Sequence, residues 1–463
     1  MSVFINQLAH STMAINKSKP ARWSSPFVFI LAATGAAVGL GNIWKFPYEV
    51  ASQGGSAFVL TYVVCLILLG IPLLIAEMCL GRLGRANPIK TLYNLAKEEG
   101  HSTKWRYLGW LNIATLIGVL SFYSVVAGWS IKYLIASIMG TFNHIDNQQL
   151  NAFWQQTMAN PGEIIGYHAV FMVLTITVVA RGIRQGIETA SKILMPLLFL
   201  CLLLLVGYSY HSPGFQQGWD FLFAFKPEAI GGITLVKAFG QTCFTLAIGA
   251  GCMLVYGAYV EDDTNLGTTA YVIAILNLLV AILVGLAIFP LIFSFHLTPI
   301  GGPGLIFQTV PIAFAQMPWG QLFASLFFAL ILFAAWTSSI SMAEPVVMML
   351  IENWRLSRYQ ASLLTGSLTW TLGILSALSF NVWEHHPILG YPNFFVCISE
   401  VTTDYMLPVG ILGYAIFTGW QVAFPRLYTG LHFTSLPLAK LWYGLIRYLA
   451  PIALIAMLLW HPT

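Results

Sequence analysis

Charge is what this chain lacks. Of its 463 residues only 8% are Asp, Glu, Lys or Arg, while 58% are apolar, and the mean hydropathy is +0.77. A water-soluble domain carries about 25% charged residues, so water cannot be the solvent for most of this surface and lipid must be. The net charge of +4 is too small to argue for nucleic acid, and no nucleic-acid partner is expected. Cysteine is scarce too: Cys65, Cys79, Cys201, Cys243, Cys252 and Cys397 all sit in apolar runs without a C-x-x-C pair, which reads as buried inert thiols. Met1 to Pro20 has no apolar h-region, so no cleavable signal peptide is expected. There is no H-E-x-x-H, no nucleophile elbow and no His/Asp cluster, and His385 and His386 fall in a polar loop. An intramembrane enzyme is therefore disfavoured.

What is present is a succession of apolar runs long enough to span a bilayer, each needing about 20 residues. They fall near 25–49, 56–80, 107–139, 164–180, 188–210, 233–260, 267–295, 319–351, 360–380, 393–423 and 437–460, roughly eleven helices. The fold class is all-α, since lipid forbids unpaired strands and no barrel alternation appears. The stretch from Gly301 to Pro318 reads as an external loop helix. Basic residues orient the spans. Lys17, Lys19 and Arg22 precede the first; Arg82, Arg85, Lys90, Lys97, Lys104 and Arg106 follow the second. Arg181, Arg184 and Lys192 follow the fourth, Arg355 and Arg358 the eighth, and Arg426 and Lys440 the tenth. The loops 140–163 and 381–392 have none, and the segment after the fifth span has only Lys226. The positive-inside rule then expects a cytoplasmic N-terminus, a multi-pass protein of the inner (plasma) membrane, and an external tail His461 to Thr463.

Two spans carry clustered glycines at matching places: Val38-Gly39-Leu40-Gly41 in the first and Ile248-Gly249-Ala250-Gly251 in the sixth. Each glycine costs about 1 kcal/mol in a helix relative to alanine, so both spans are expected to break there. The first starts inside and the sixth outside, which makes the halves inverted repeats, the pattern of a secondary transporter. The boundaries expected are 1–24 for a cytoplasmic segment, 25–210 for the first repeat, 211–232 for an external loop, 233–423 for the second repeat and 424–463 for a last helix and tail. Freed amides suit a carboxylate; freed carbonyls suit a small hard cation or an ammonium. The alternative is that the glycines merely let helices pack closely.

At this point a resemblance enters. Gly39-Leu40-Gly41-Asn42-Ile43-Trp44-Lys45-Phe46-Pro47-Tyr48 resembles the first-helix signature of the neurotransmitter:sodium symporter family, whose bacterial members carry amino acids. Further matches are Gly54 to Phe58, Gly70-Ile71-Pro72 through Glu77, Gly81-Arg82, Gln241 with Phe244-Thr245-Leu246, and Thr337 to Ile340. The resemblance covers nearly the whole chain and implies the leucine-transporter fold, an inverted five-plus-five core with helices one and six unwound. It implies Na⁺ at two sites. One would use Ala37, Asn42, Thr245 and Asn277, and the second Gly35, Val38, Ala334, Thr337 and Ser338. All of these offer the oxygen that a hard cation wants. It also implies a substrate carboxylate against Leu40, Gly41 and Tyr123, with the ammonium near Ala37, Phe244 and Thr245. Family members that carry monoamines have an acid where Gly39 stands, so glycine argues for a cargo with its own carboxylate. Val119, Tyr123, Phe244, Ala247, Ala250, Ser338, Ser341 and Met342 would line the side-chain pocket. Small residues at Ala247 and Ala250 suggest a hydrophobic amino acid, with room for a large or aromatic one.

For the gates, the resemblance pairs Lys45 with an acid on helix ten, where this chain has Ser399; Glu400 and Asp404 are the nearby substitutes. Inside, Trp23, Tyr259 and Glu352 match gate positions, whereas the expected Arg is replaced by Pro20, with Arg22 and Lys19 close by. Gly186 and Pro196 in helix five would let that helix unwind toward the second sodium site. Glu77 would support the broken helix six, and Glu344 would be structural or serve proton countertransport. Tyr62, Gln241 and Thr245 match a chloride site whose fourth position is Ala281, which leaves chloride dependence open. The function expected is Na⁺-coupled symport of hydrophobic amino acids by alternating access. The alternative is an amino-acid sensor of the same fold that does not transport. Sequence leaves the oligomer undetermined.

Overall fold

Every regular element among the described residues is helical; the sole β-feature there is an isolated bridge between Ile388 and Tyr391. The structure is a computed structural model and describes residues 22–297, 304–433 and 435–460. Lys17, Lys19, Pro20, Gly301 and the tail from His461 to Thr463 lie outside the described residues.

In chain order the helices are α1 (Pro26–Ala37), α2 (Gly41–Ser52), α3 (Ser56–Gly84), α4 (Pro88–Glu98), α5 (Thr103–Ile138), α6 (Asn147–Ala159), α7 (Pro161–Ala180), α8 (Ile183–Tyr210) and α9 (Phe215–Phe223). They continue with α10 (Gly232–Thr245), α11 (Cys252–Ala258), α12 (Leu266–Ser294), α13 (Leu305–Ala315), α14 (Gly320–Trp354), α15 (Arg358–Leu378), α16 (Phe394–Gln421), α17 (Phe424–Leu431) and α18 (Leu436–Leu459). Nine helices among the described residues are long and apolar enough to cross a membrane. A tenth crossing is the bent pair α1 and α2, which meet at 55°. The remaining expected span, the sixth at 233–260, is not one helix: α10 and α11 share it, with residues 246–251 between them. The helix expected over 301–318 is α13, too short to span. Its Phe307 packs edge-on against Trp129 and Tyr133.

The core forms where α5 and α14 run against each other, with α1, α7, α8 and α15 packed around them. Close approach at Gly81 is obligatory, because a Cβ there would stand 1.8 Å from the Leu254 carbonyl oxygen of α11. Gly186 lies in a widened π turn, Ile183–Glu188, that opens α8, and α8 then continues helical through Pro196. Helix five is therefore locally widened, not unwound, in this state.

The two breaks are made differently. In the first span α1 ends at Ala37, and Val38 turns to extended backbone (φ −83°, ψ 99°). In the sixth, Ala247, Gly249 and Gly251 take left-handed φ of 53°, 90° and 87°. Glycine holds that region without Cβ strain, whereas Ala247 is strained by about 1–2 kcal/mol. Fixed partners offset the exposed backbone. The Glu77 carboxylate accepts from Gly249 N (2.6 Å) and Leu254 N (3.2 Å), and Asn112 Nδ2 donates to the Gly249 carbonyl (2.6 Å). Tyr414 Oη in turn donates to Asn112 Oδ1 (2.7 Å).

Candidate functional site

The two breaks face one cavity. Its walls are Ala36, Ala37, Gly39, Leu40 and Gly41 from the first break, Leu116, Val119 and Tyr123 from α5, and Phe244, Thr245, Ala247, Ala250 and Cys252 around the second break. Ser338 and Met342 of α14 and Leu407 of α16 complete it. Eleven of the twelve residues expected at the substrate site line it. Ser341 does not: its hydroxyl bonds Tyr256 Oη (2.7 Å) and the Thr337 carbonyl (2.9 Å). Sequence reasoning gave no lining role to Ala36, Leu116, Cys252 or Leu407. Leu407 follows the π turn Val401–Met406, and no local signal marks its facing.

Gly39 is crowded on the cavity side. A Cβ there would lie 2.6 Å from Ser338 Oγ and 2.9 Å from Tyr123 Oη. Any side chain at this position would have to displace both hydroxyls. Tyr123 Oη accepts from Leu40 N (3.2 Å), so one edge of the cavity is a hydroxyl and freed amides.

Around the first break the expected second cation set comes together. Ser338 Oγ lies 3.2, 3.3 and 3.2 Å from the carbonyl oxygens of Gly35, Ala36 and Val38. Thr337 Oγ1 lies 3.1 Å from the Ala334 carbonyl. A hydroxyl has one proton to donate, so three buried carbonyls crowd around one donor. Such a surplus of oxygen lone pairs fits a small hard cation. The first set also assembles. Asn42 Nδ2 donates to Asn277 Oδ1 (2.9 Å) and to the Asn277 carbonyl (3.2 Å). Asn277 Nδ2 reaches Tyr62 Oη (3.0 Å) and Thr245 Oγ1 (3.4 Å). A half-turn of either amide exchanges its N and O with almost no movement, and Ala37 and Thr245 both line the adjoining cavity. Both sets are neutral, as suits a monovalent ion. No cluster of His, Cys, Asp and Glu for a multivalent metal occurs among the described residues.

The same network contains the positions compared with a chloride site. Tyr62 Oη and Thr245 Oγ1 are 3.0 Å apart, and Gln241 Nε2 donates to the Gly41 carbonyl (2.8 Å). Gln241 Oε1 is buried without a partner, and Ala281 is fully buried one turn along α12 from Asn277.

Above the cavity lies a wider vestibule, separated from it by Leu40, Gly41, Tyr123 and Phe244, which line both. Lys45 Nζ stands 4.8 Å from the Phe244 ring centroid. Asp404, Glu49 and Lys237 share this vestibule with Lys45, and Ser399 lines it too. Glu400 is exposed and is not among the residues that line the vestibule, so of the two acids expected on helix ten Asp404 is the one that shares the vestibule with Lys45.

On the opposite side the site is sealed. Trp23 is 2% exposed; its indole donates to the Tyr256 carbonyl (3.0 Å) and its amide to the Tyr259 carbonyl (3.1 Å). Ser24 bonds the Glu188 carboxylate through its amide (2.8 Å) and hydroxyl (2.7 Å). Arg22 and Glu352, both expected at the inner gate, do not bind each other. Arg22 reaches Asp262 (3.3 Å), an acid that Arg85 also binds. Glu352 instead accepts from Asn87 N (3.1 Å) and Asn87 Nδ2 (2.7 Å) at the start of α4. Tyr259 donates to Glu344 (2.9 Å), which also binds Arg358. The correction has a simple cause. Lys90 and Asn87 hold Glu352 locally, whereas the α11–α12 loop presents Asp262 directly to Arg22. Arg85, Asp262 and Asn112 were missed at the sequence level.

Comparison with known proteins matches this geometry to a family. The model of the sodium:neurotransmitter symporter family matches residues 21–154 and 147–457. The chain belongs to the sodium:neurotransmitter symporter family. It is 35% identical over 453 residues to the uncharacterized sodium-dependent transporter YhdH of Bacillus subtilis (strain 168), across 96% of this chain and 98% of that protein. It is 33% identical to an uncharacterized sodium-dependent transporter of Haemophilus influenzae, across 96% and 99%. Among solved structures, MhsT in complex with L-phenylalanine superimposes with a TM-score of 0.88 at 36% identity, across 95% of this chain and 99% of that one. The protein is thus a sodium-dependent symporter of this family with the leucine-transporter fold, a multi-pass membrane protein and not an enzyme.

Proposed function

We propose that this symporter carries a hydrophobic α-amino acid, large or aromatic ones included, together with Na⁺ bound at two sites. The observation that carries the cargo class is Gly39. Its missing side chain is replaced by the Ser338 and Tyr123 hydroxyls, so the protein has no carboxylate of its own there and the substrate brings one. The substrate carboxylate lies against the Leu40 and Gly41 amides and the Tyr123 hydroxyl. It also completes the oxygen shell of the ion held by Ala37, Asn42, Thr245 and Asn277. The ammonium meets carbonyls at Ala37, Phe244 and Thr245. Small walls at Ala36, Ala247 and Ala250 leave room for a bulky side chain, and Met342 adapts to its shape. The solved relative is described with L-phenylalanine bound, which supports this size class.

The halves proposed as repeats are 25–210 and 233–423. The Lys45 side is read as external and the Trp23 side as cytoplasmic, with the protein in the inner (plasma) membrane. In the conformation described, Tyr123 and Phe244 lie between cavity and vestibule, and the Trp23 side is closed. Binding draws Lys45 and Asp404 together over Phe244. Release follows when Trp23 and the Arg22–Asp262–Arg85 cluster part and α8 unwinds from its π turn at Gly186. The sensor reading rested on Ser399 and Ala281; Asp404 lines the vestibule beside Ser399, which supports a gate acid there, while Ala281 brings neither hydroxyl nor carboxylate.

The test is a thermal-shift screen of the twenty amino acids against the purified protein in Na⁺ and in choline. Hydrophobic amino acids should stabilise it only in Na⁺, and uptake into proteoliposomes should follow the Na⁺ gradient. Stabilisation indifferent to Na⁺ would reject the shared ion and carboxylate shell. Binding without uptake would reject symport.

A further inference from the structure

Arg447 lies in the middle of α18, a membrane-crossing helix, and no acid pairs with it among the described residues. A charge at such a position is costly unless something compensates it. Here the compensation within the protein is incomplete. The guanidinium sits among three rings, 5.6 Å from that of Trp420 and 5.7 Å from those of Tyr443 and Tyr448. Nη1 donates to Tyr443 Oη (3.0 Å), which itself donates to the Gly419 carbonyl (2.8 Å). Among the described residues Nε is buried without a partner and no acceptor meets Nη2, so only one of five N–H donors is used there.

The depth is set by neighbours. Lys440, exposed, precedes Arg447 by seven residues on α18, about 10 Å along the axis. Positions 440, 443 and 447 share one face. Trp420 is the penultimate residue of α16, whose end passes into α17 and Arg426, itself paired with Glu98 at the end of α4 and with the next residue, Glu99. Arg447 is therefore about two turns inward from Lys440 on the basic side of the protein, within snorkelling reach of headgroups. Trp420 and Tyr448 are 40% and 60% exposed, as interfacial aromatic residues are. Beyond them α18 shows Leu449 and Ile452 outward, an apolar wall continuous with the site.

We propose that this face binds the headgroup of an anionic phospholipid. The phosphate takes the unused Nη1 and Nη2 N–H groups of Arg447, with Lys440 contributing charge. The Trp420 and Tyr448 rings frame the headgroup, and an acyl chain runs along Leu449 and Ile452. A planar guanidinium with two parallel N–H groups fits phosphate bidentately. The apolar wall selects lipid over free phosphate. The bound lipid braces α18 against α16 at the Gly419 crossing, where a Cβ would stand 3.0 Å from the Arg447 Cα.

The full chain in nanodiscs of phosphatidylcholine and phosphatidylglycerol with identical acyl chains, followed by native mass spectrometry of retained lipids, tests this. The wild type should retain one phosphatidylglycerol in about tenfold preference, the size of one charge-assisted hydrogen bond. Arg447→Gln should lose the preference. Tyr448→Glu, at an exposed rim position, should keep the fold and also lose it by repulsion. Millimolar inorganic phosphate should leave the wild-type preference unchanged. Equal retention of phosphatidylglycerol by wild type and Arg447→Gln overturns the proposal, because Arg447 would then be a cation–π staple only. Displacement by inorganic phosphate overturns the lipid assignment. If Arg447→Gln does not fold, an unchanged preference in both Tyr448→Glu and Lys440→Gln overturns it equally.

Discussion

Adding a single methyl group at Gly39 is the most informative perturbation of the site. The Cβ of Gly39→Ala would stand 2.6 Å from Ser338 Oγ, 2.9 Å from Tyr123 Oη and 3.3 Å from Ser338 Cβ. Ordinary contact needs several tenths of an ångström more, so both hydroxyls must retreat. Ser338 Oγ then leaves its place 3.2–3.3 Å from the Gly35, Ala36 and Val38 carbonyls, and Tyr123 Oη moves from Leu40 N. Overpacking of this kind costs about 1–3 kcal/mol and a lost hydrogen bond about 1 kcal/mol. The ion-free protein relaxes to recover part of this, so a loss of at least about tenfold in Na⁺ affinity is expected. The assay is Na⁺ titration of the melting temperature of purified protein, with choline as the replacing cation. Ser338→Ala should give a comparable loss. A Gly39→Ala protein with an unchanged melting temperature in choline and a Na⁺ midpoint within about twofold of wild type would refute the reasoning.

Other consequences are equally open to measurement. Asn277→Ala removes the acceptor of Asn42 and the donor to Tyr62 and Thr245. It should weaken Na⁺ and substrate together, each by about tenfold, and unchanged binding of both rejects a shared shell. Asp404→Asn should slow uptake markedly while Glu400→Gln and Ser399→Ala stay near wild type; the reverse order would move the gate acid to Glu400. The Glu77→Gln amide would turn a donor toward Gly249 N or Leu254 N, so the melting temperature should drop, by an amount corresponding to about 1–3 kcal/mol; no drop would mean the break is self-supporting. Asp262 lies outside the spans, and its pKa is lowered from 3.8, first by the charge of Arg85, with Arg22 adding to it. A depressed carboxyl pKa stabilises the folded state above the unfolded value and loses that contribution as pH falls through the folded one. The window lies below 3.8, so labelling of a cysteine introduced at Ser24 should not vary between about pH 5 and pH 8 through Asp262, whereas Asp262→Asn should raise labelling at every pH.

Much of the fold was legible because lipid leaves few choices. A chain with this little charge must be helical across the bilayer, and apolar run length counts the crossings. Clustered glycines located both breaks, yet only the sixth uses left-handed glycine; the first breaks at Val38, a residue with no such signature. The cavity was legible to the extent that it is built from the breaks and their matched partners. Leu116, Cys252 and Leu407 were not, since facing depends on how α5, α11 and α16 rotate against their neighbours.

The amino-acid sequence by itself determined a many-helix membrane protein with two broken spans and two sets of neutral oxygens. The spans and breaks follow from solvent and helix propensity, which are local, whereas the two oxygen sets were implied by the family resemblance. Only the tertiary structure decided which charges meet. Asp404 shares the vestibule with Lys45, Asp262 and not Glu352 binds Arg22, and Arg447 is left among rings with no acid among the described residues. Coulomb attraction acts through space at a few ångströms, and residues hundreds of positions apart come that close only through packing.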